Sequence, residues 1–101
     1  MPLEEQNFRM FEGDHIEVTF DTEGIDLTTA KNIYWFTEFG LQKIETDMTI
    51  TTNSISFEIS SEETKGFNGR YKHELKIVDN NDNVSTIARG SMSIIKPLEV
   101  I

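Results

Sequence analysis

Apolar residues recur at every second position through most of the chain. From His15 to Asp21, Ile16, Val18 and Phe20 share one face, opposite His15, Glu17 and Thr19. From Ser54 to Ser60, Ile55, Phe57 and Ile59 share a face. From Arg70 to Asp79, Tyr71, His73, Leu75 and Ile77 lie together, opposite Arg70, Lys72, Glu74 and Lys76. Alternation of this kind predicts half-buried antiparallel strands, and the Thr, Ile, Val and aromatic content of these runs suits them. A first strand is expected over about Gln6–Phe11 and another over Asn32–Phe39. The buried set includes Val18, Phe20, Trp35, Phe57, Tyr71, Leu75 and Ile77.

Turn chemistry separates the runs. Glu12-Gly13-Asp14, Glu23-Gly24-Ile25-Asp26 and Thr52-Asn53 hold the residues that tolerate positive φ or bond nearby backbone. Ser60 to Lys65 starts like a helix, with a Ser cap and early acids, but Gly66 ends it after one turn. Lys96-Pro97 closes the last strand. The spacing predicts an all-β, immunoglobulin-like antiparallel sandwich of about seven strands, with residues 1–101 as one domain.

The longest hairpin is expected to turn at Asp79-Asn80-Asn81-Asp82-Asn83. With Asn81-Asp82 at the tip, Asp79 faces Val84, Ile77 faces Thr86, Leu75 faces Ala88, His73 faces Gly90 and Tyr71 faces Met92. Asp79, Asn81 and Asn83 also match the start of a calcium loop. Val84 stands where that loop needs Gly, and Gly90 where it needs a bidentate Glu, so the turn is the better reading. Asn83-Val84-Ser85 fits a glycosylation acceptor by chance spacing alone.

Charge narrows the function. Nine Lys and Arg stand against 18 Asp and Glu, a net charge of -9, which argues against a nucleic-acid backbone as partner. There is no cysteine, so neither a disulfide nor a thiolate metal site is available. No stretch approaches the roughly 20 apolar residues of a membrane helix, and the first residues do not read as a signal peptide. No membrane partner, metal or cofactor is expected.

His15 and His73 are the only histidines. His15 lies on a polar strand face and reads as solvated; His73 shares the face of Tyr71, Leu75 and Ile77 and reads as a neutral core histidine. No nucleophile or carboxylate is spaced to use either, so no catalytic residue is assigned. Ile33-Tyr34-Trp35-Phe36 puts aromatics on both faces of one strand. With Trp35 inward, Tyr34 and Phe36 become an interaction surface for a protein or a sugar.

Gly69-Arg70-Tyr71 resembles the start of strand F in immunoglobulin-like domains. The resemblance places His73 where the second cysteine stands, Val18 or Phe20 at the first, and Trp35 at the strand C tryptophan. The tyrosine would lock its corner through the hydroxyl. Over about 90 residues, Gly13-Asp14, Asp26-Leu27-Thr28-Thr29-Ala30, Gly69-x-Tyr71 and Arg89-Gly90 occur in the order found in small immunoglobulin-like modules of bacteriophage tails and baseplates, which the chain resembles. That likeness implies a non-enzymatic virion structural protein of a phage or prophage. It would be assembled in the host bacterial cytoplasm and docked to other tail or baseplate proteins, with homo-oligomerisation among its modes. Two alternatives are a carbohydrate-binding module using Tyr34 or Phe36, and a small acidic inhibitor that mimics nucleic acid.

Overall fold

The computed structural model describes residues 4–101. Among the described residues nine strands form two sheets: β1 Glu4–Glu5, β2 Phe8–Phe11, β3 Ile16–Asp21, β4 Ala30–Thr37, β5 Gln42–Ile44, β6 Thr49–Ile50, β7 Ser54–Ile59, β8 Gly69–Asp79 and β9 Val84–Ile95. The larger sheet runs β1-β9-β8-β4-β5, with β2 also on β9; the smaller runs β3-β7-β6. The inward rows of the two sheets pack on each other. Trp35, Ile55, Ile59, Leu75 and Met92 are fully buried between them, joined by Val18, Phe20 and Phe57. Tyr71 and Ile77, expected in the core, are only half-buried and pack against its margin. They sit near the two ends of β8, where the layers part.

The expectation of antiparallel pairing fails for the first strand. Both β1 and β2 run parallel to β9: Glu4 faces Ala88, and Phe8 faces Met92. Side-chain alternation carries no information about strand direction, so the pattern could not reveal this. Gln6 and Asn7 interrupt the strand and cross over Gly90. The Gln6 amide still donates to the Arg89 carbonyl at 2.8 Å, and the Asn7 carboxamide oxygen accepts from the Ser91 amide at 2.9 Å. The region from Gly40 to Thr51, for which the sequence pattern predicts no element, is structured. It forms β5, a 3₁₀ turn at Glu45–Asp47 and β6.

The hairpin register is half as expected. Tyr71 faces Met92, His73 faces Gly90, Glu74 faces Arg89 and Leu75 faces Ala88. Nearer the tip the pairing slips by one: Ile77 faces Ser85 rather than Thr86, and Val84 faces Val78 rather than Asp79. The cause is a three-residue loop. Asp79 N–H bonds the Asn83 carbonyl, the Asp82 amide bonds the Asp79 carbonyl, and Asp82 takes φ 62°. This is a type I turn followed by a left-handed residue. Between Leu75 and Lys76 the register recovers through a bulge on β9. Ile87 and Ala88 are therefore buried consecutively, as strict alternation would forbid.

A turn at Ser61–Thr64 links β7 to β8. Glu63 accepts the Ser60 amide at 2.8 Å, closing the cap the sequence announced. The same carboxylate takes Lys43 Nζ at 2.8 Å, tying β5 of one sheet to the turn leaving the other. Burial pushes the Glu63 pKa up, but the Lys43 and Ser60 bonds outweigh it and hold the group below its usual range.

Gly90 is fixed by the crossing above it. A Cβ there would lie 2.0 Å from the Gln6 carbonyl oxygen, so backbone must move. Gly90→Ala is expected to cost about 1–3 kcal/mol, the range for forced overpacking. In a domain of this size that lowers Tm by about 4–8 °C for each kcal/mol. A thermal melt that matches the parent would mean the first strand is not held over β9.

Candidate docking surface

The residues singled out in the sequence divide between the interior and one outer face. Inside, Trp35 of β4 donates its indole N–H to His73 Nδ1 on β8 at 3.1 Å. His73 Nε2 lies 2.6 Å from the Gln6 carbonyl oxygen. A carbonyl accepts only, and the indole donates only. His73 must therefore be neutral, with its proton on Nε2. Its ring lies 5.9 Å from that of Phe20, at 55°, and 5.2 Å from that of Phe8. Phe20 and His73 thus meet across the sandwich, where antibody domains place their inter-sheet disulfide. His73 is 1% exposed, and burial holds its pKa below the usual 6.5 despite the Gln6 bond. With both ring nitrogens engaged, it offers no lone pair to a metal or substrate.

The remaining polar candidates are also engaged. Tyr71 donates its hydroxyl to the Asn68 carbonyl at 2.9 Å, which locks the corner before β8. Asp79 accepts the amides of Asn81 and Asn83 at 2.8 and 2.9 Å, and the Asn83 bond leads the effects that hold its carboxyl below its usual pKa. That accounts for the acidic-amide cluster as a hairpin cap. His15 is exposed, 3.6 Å from Glu58. Glu12 was not anticipated. It accepts the Gly66 amide at 2.9 Å and the Asn68 carboxamide at 3.2 Å, bridging turns 54 and 56 residues away. An acid beside a glycine turn gives no local sign of so distant a partner.

Tyr34 and Phe36 are half-buried on the outer face of the larger sheet, their rings 5.6 Å apart and within 15° of parallel. Ile44 of β5 faces Tyr34 and is 40% exposed. Across the same face, Phe11 faces Ile95, and both are exposed. Between these apolar spots stand Arg9, Arg70, Lys72 and Arg89, all exposed. None makes an ion pair among the described residues, although the chain is strongly acidic. By contrast, Lys31, Lys43, Lys65 and Lys76 each lie within 4 Å of a carboxylate. The sequence signalled the aromatics through their place around Trp35. The cationic cluster was hidden, because its members come from β2, β8 and β9 and gather only when those strands pair.

No protein-family model matches the chain, and no characterised protein matches its sequence. Among solved structures it is similar to the fibronectin(III)-like modules of CbhA from Clostridium thermocellum. The TM-score is 0.58 over 91% of this chain and 90% of that one, at 11% identity. The chain has an immunoglobulin-type β-sandwich fold of the fibronectin(III)-like kind. At this identity the likeness speaks to fold alone.

The buried histidine makes the sandwich acid-sensitive. The folded state holds the His73 pKa below 6.5, whereas the unfolded chain titrates near 6.5. Its contribution is complete above that value and is lost as pH falls through it. The slope approaches about 1.4 kcal/mol per pH unit for one proton. Denaturant melts between pH 7.5 and about pH 5 check this. The parent should weaken steadily, and His73→Gln should show a flatter profile from a lower starting stability. An equal slope in both would place the titration elsewhere.

Proposed function

We propose that this is a non-enzymatic assembly module that binds other proteins through the outer face of its larger sheet, in the manner of the bacteriophage tail and baseplate modules it resembles. One observation carries the reading: four exposed cations with no ion pair among the described residues share a sheet face with Tyr34, Phe36, Ile44, Phe11 and Ile95 in a chain of net charge -9. Apolar side chains set among unpaired arginines suit a protein contact, where aromatics and Arg are enriched. The face selects a partner with negative charge and some apolar surface. The fold suits this role, because a rigid sheet presents the side chains without a loop to order.

A sugar-binding reading draws on the same two aromatics, since half-exposed rings can stack on a pyranose. The surrounding cations add nothing to recognition of a neutral sugar. A glycan array separates the two readings: protein docking predicts no neutral glycan bound.

The direct test is mass spectrometry of tail particles assembled with the parent chain or with a Tyr34→Ser, Phe36→Ser variant. The parent should be retained in stoichiometric amounts. The variant should keep its fold and lose most of its incorporation, because central interface aromatics commonly cost 2 kcal/mol or more, about thirtyfold in affinity. Absence of the parent from the particles overturns the virion role. Full retention of the variant overturns the assigned face.

A further inference from the structure

We propose that the partner of this basic face is the acidic outer face of a second copy, so that copies associate head to tail. The inference rests on the docking reading above and adds the occupant.

The two outer faces carry opposite charge. On the smaller sheet, Glu17 and Asp21 of β3 and Glu58 of β7 point outward and are exposed. No Lys or Arg occurs on β3, β6 or β7. Glu17 and Glu58 face each other directly across the β3–β7 ladder. Like charges so placed destabilise a sheet. His15, 3.6 Å from Glu58, offsets this only when protonated. A cation arriving from outside would relieve the repulsion. On the opposite face Arg70, Lys72 and Arg89 have no carboxylate within 4 Å among the described residues, although Arg89 stands between Glu5 and Glu74 in the sheet. The acidic face has no cation on its strands, and the larger sheet's outer face has more cations than its carboxylates Glu5 and Glu74 offset. Stacked sheets sit about 10 Å apart, a gap that long Arg and Lys side chains span.

Net charge opposes self-association, since both copies carry -9. At about 0.15 M salt the Debye length is about 8 Å. Repulsion between whole molecules is then largely screened, while ion pairs at contact distance persist. The contact joins two different surfaces, so each added copy leaves one basic and one acidic face open. It therefore propagates as a chain, or closes as a ring if the rotation allows.

Sedimentation velocity on the full chain tests this with two charge-reversal variants, Arg70→Glu with Arg89→Glu and Glu17→Lys with Glu58→Lys. All four positions are exposed, and circular dichroism melts establish that each variant folds. The parent should form concentration-dependent oligomers at about 0.15 M salt that disperse near 1 M. Each variant alone should be monomeric. Mixed one to one, the variants should form a heterodimer and nothing larger, because one intact acidic face then meets one intact basic face. A parent that stays monomeric up to about 1 mM overturns the proposal. So does an oligomer that either variant alone preserves, or a mixture of the two that stays monomeric. A monomeric parent that is still lost from tail particles on Arg70→Glu, Arg89→Glu would leave the docking face standing and remove only the second copy as its occupant.

Discussion

The sandwich depends on one buried chain of polar contacts, Trp35 to His73 to Gln6. It ties two strands of the larger sheet, β4 and β8, to the segment between β1 and β2. A Trp indole, a His ring and a backbone carbonyl would each be costly to bury unpaired. Together they satisfy one another. The ring of His73 then packs on Phe8, Phe20 and Trp35, so the same residue that closes the polar chain also reaches the facing sheet. In immunoglobulin domains of antibodies a disulfide between the sheets holds the corresponding place. Here directional hydrogen bonds and aromatic packing hold it, as a chain without cysteine requires.

Several features follow from that contact. Gln6 can reach His73 only by crossing β9, and β9 has glycine at the crossing. The crossing splits the first strand, and Asn7 replaces a lost backbone acceptor with its side chain. With β1 and β2 committed to β9, the smaller sheet keeps only three strands. The larger sheet gains the width on which Phe11, Ile95 and Arg9 extend the surface begun by Tyr34 and Phe36. The arrangement of the core thus sets the extent of the outer face.

Legibility in the sequence tracked the range of the interaction. Period-two alternation made β3, β7 and β8 readable, and their inward residues Val18, Phe20, Phe57 and Leu75 are buried. The Gly69-x-Tyr71 pattern pointed to a tyrosine-locked corner, and the hydroxyl makes that bond. What escaped was non-local or one residue fine. Strand direction leaves no trace in alternation, so the parallel first strand was missed. The one-residue slip at Ile77 and its recovery at Ile87 depend on whether Asp82 adopts positive φ, which Asn and Asp at neighbouring positions leave open. The cations of the larger sheet's outer face are scattered along the chain and converge only through pairing, as Glu12 meets Gly66 and Asn68 only in the fold.

The most direct measurement is the protonation state of the His73 ring, read by long-range ¹H–¹⁵N NMR at neutral pH. The hydrogen-bond chain requires a neutral ring with the proton on Nε2 and a bare Nδ1 facing the Trp35 indole. That assignment, with a Trp35 indole proton protected from exchange, is the expected result. A proton on Nδ1, or a doubly protonated ring, would contradict the chain and with it the account of how the sandwich is held.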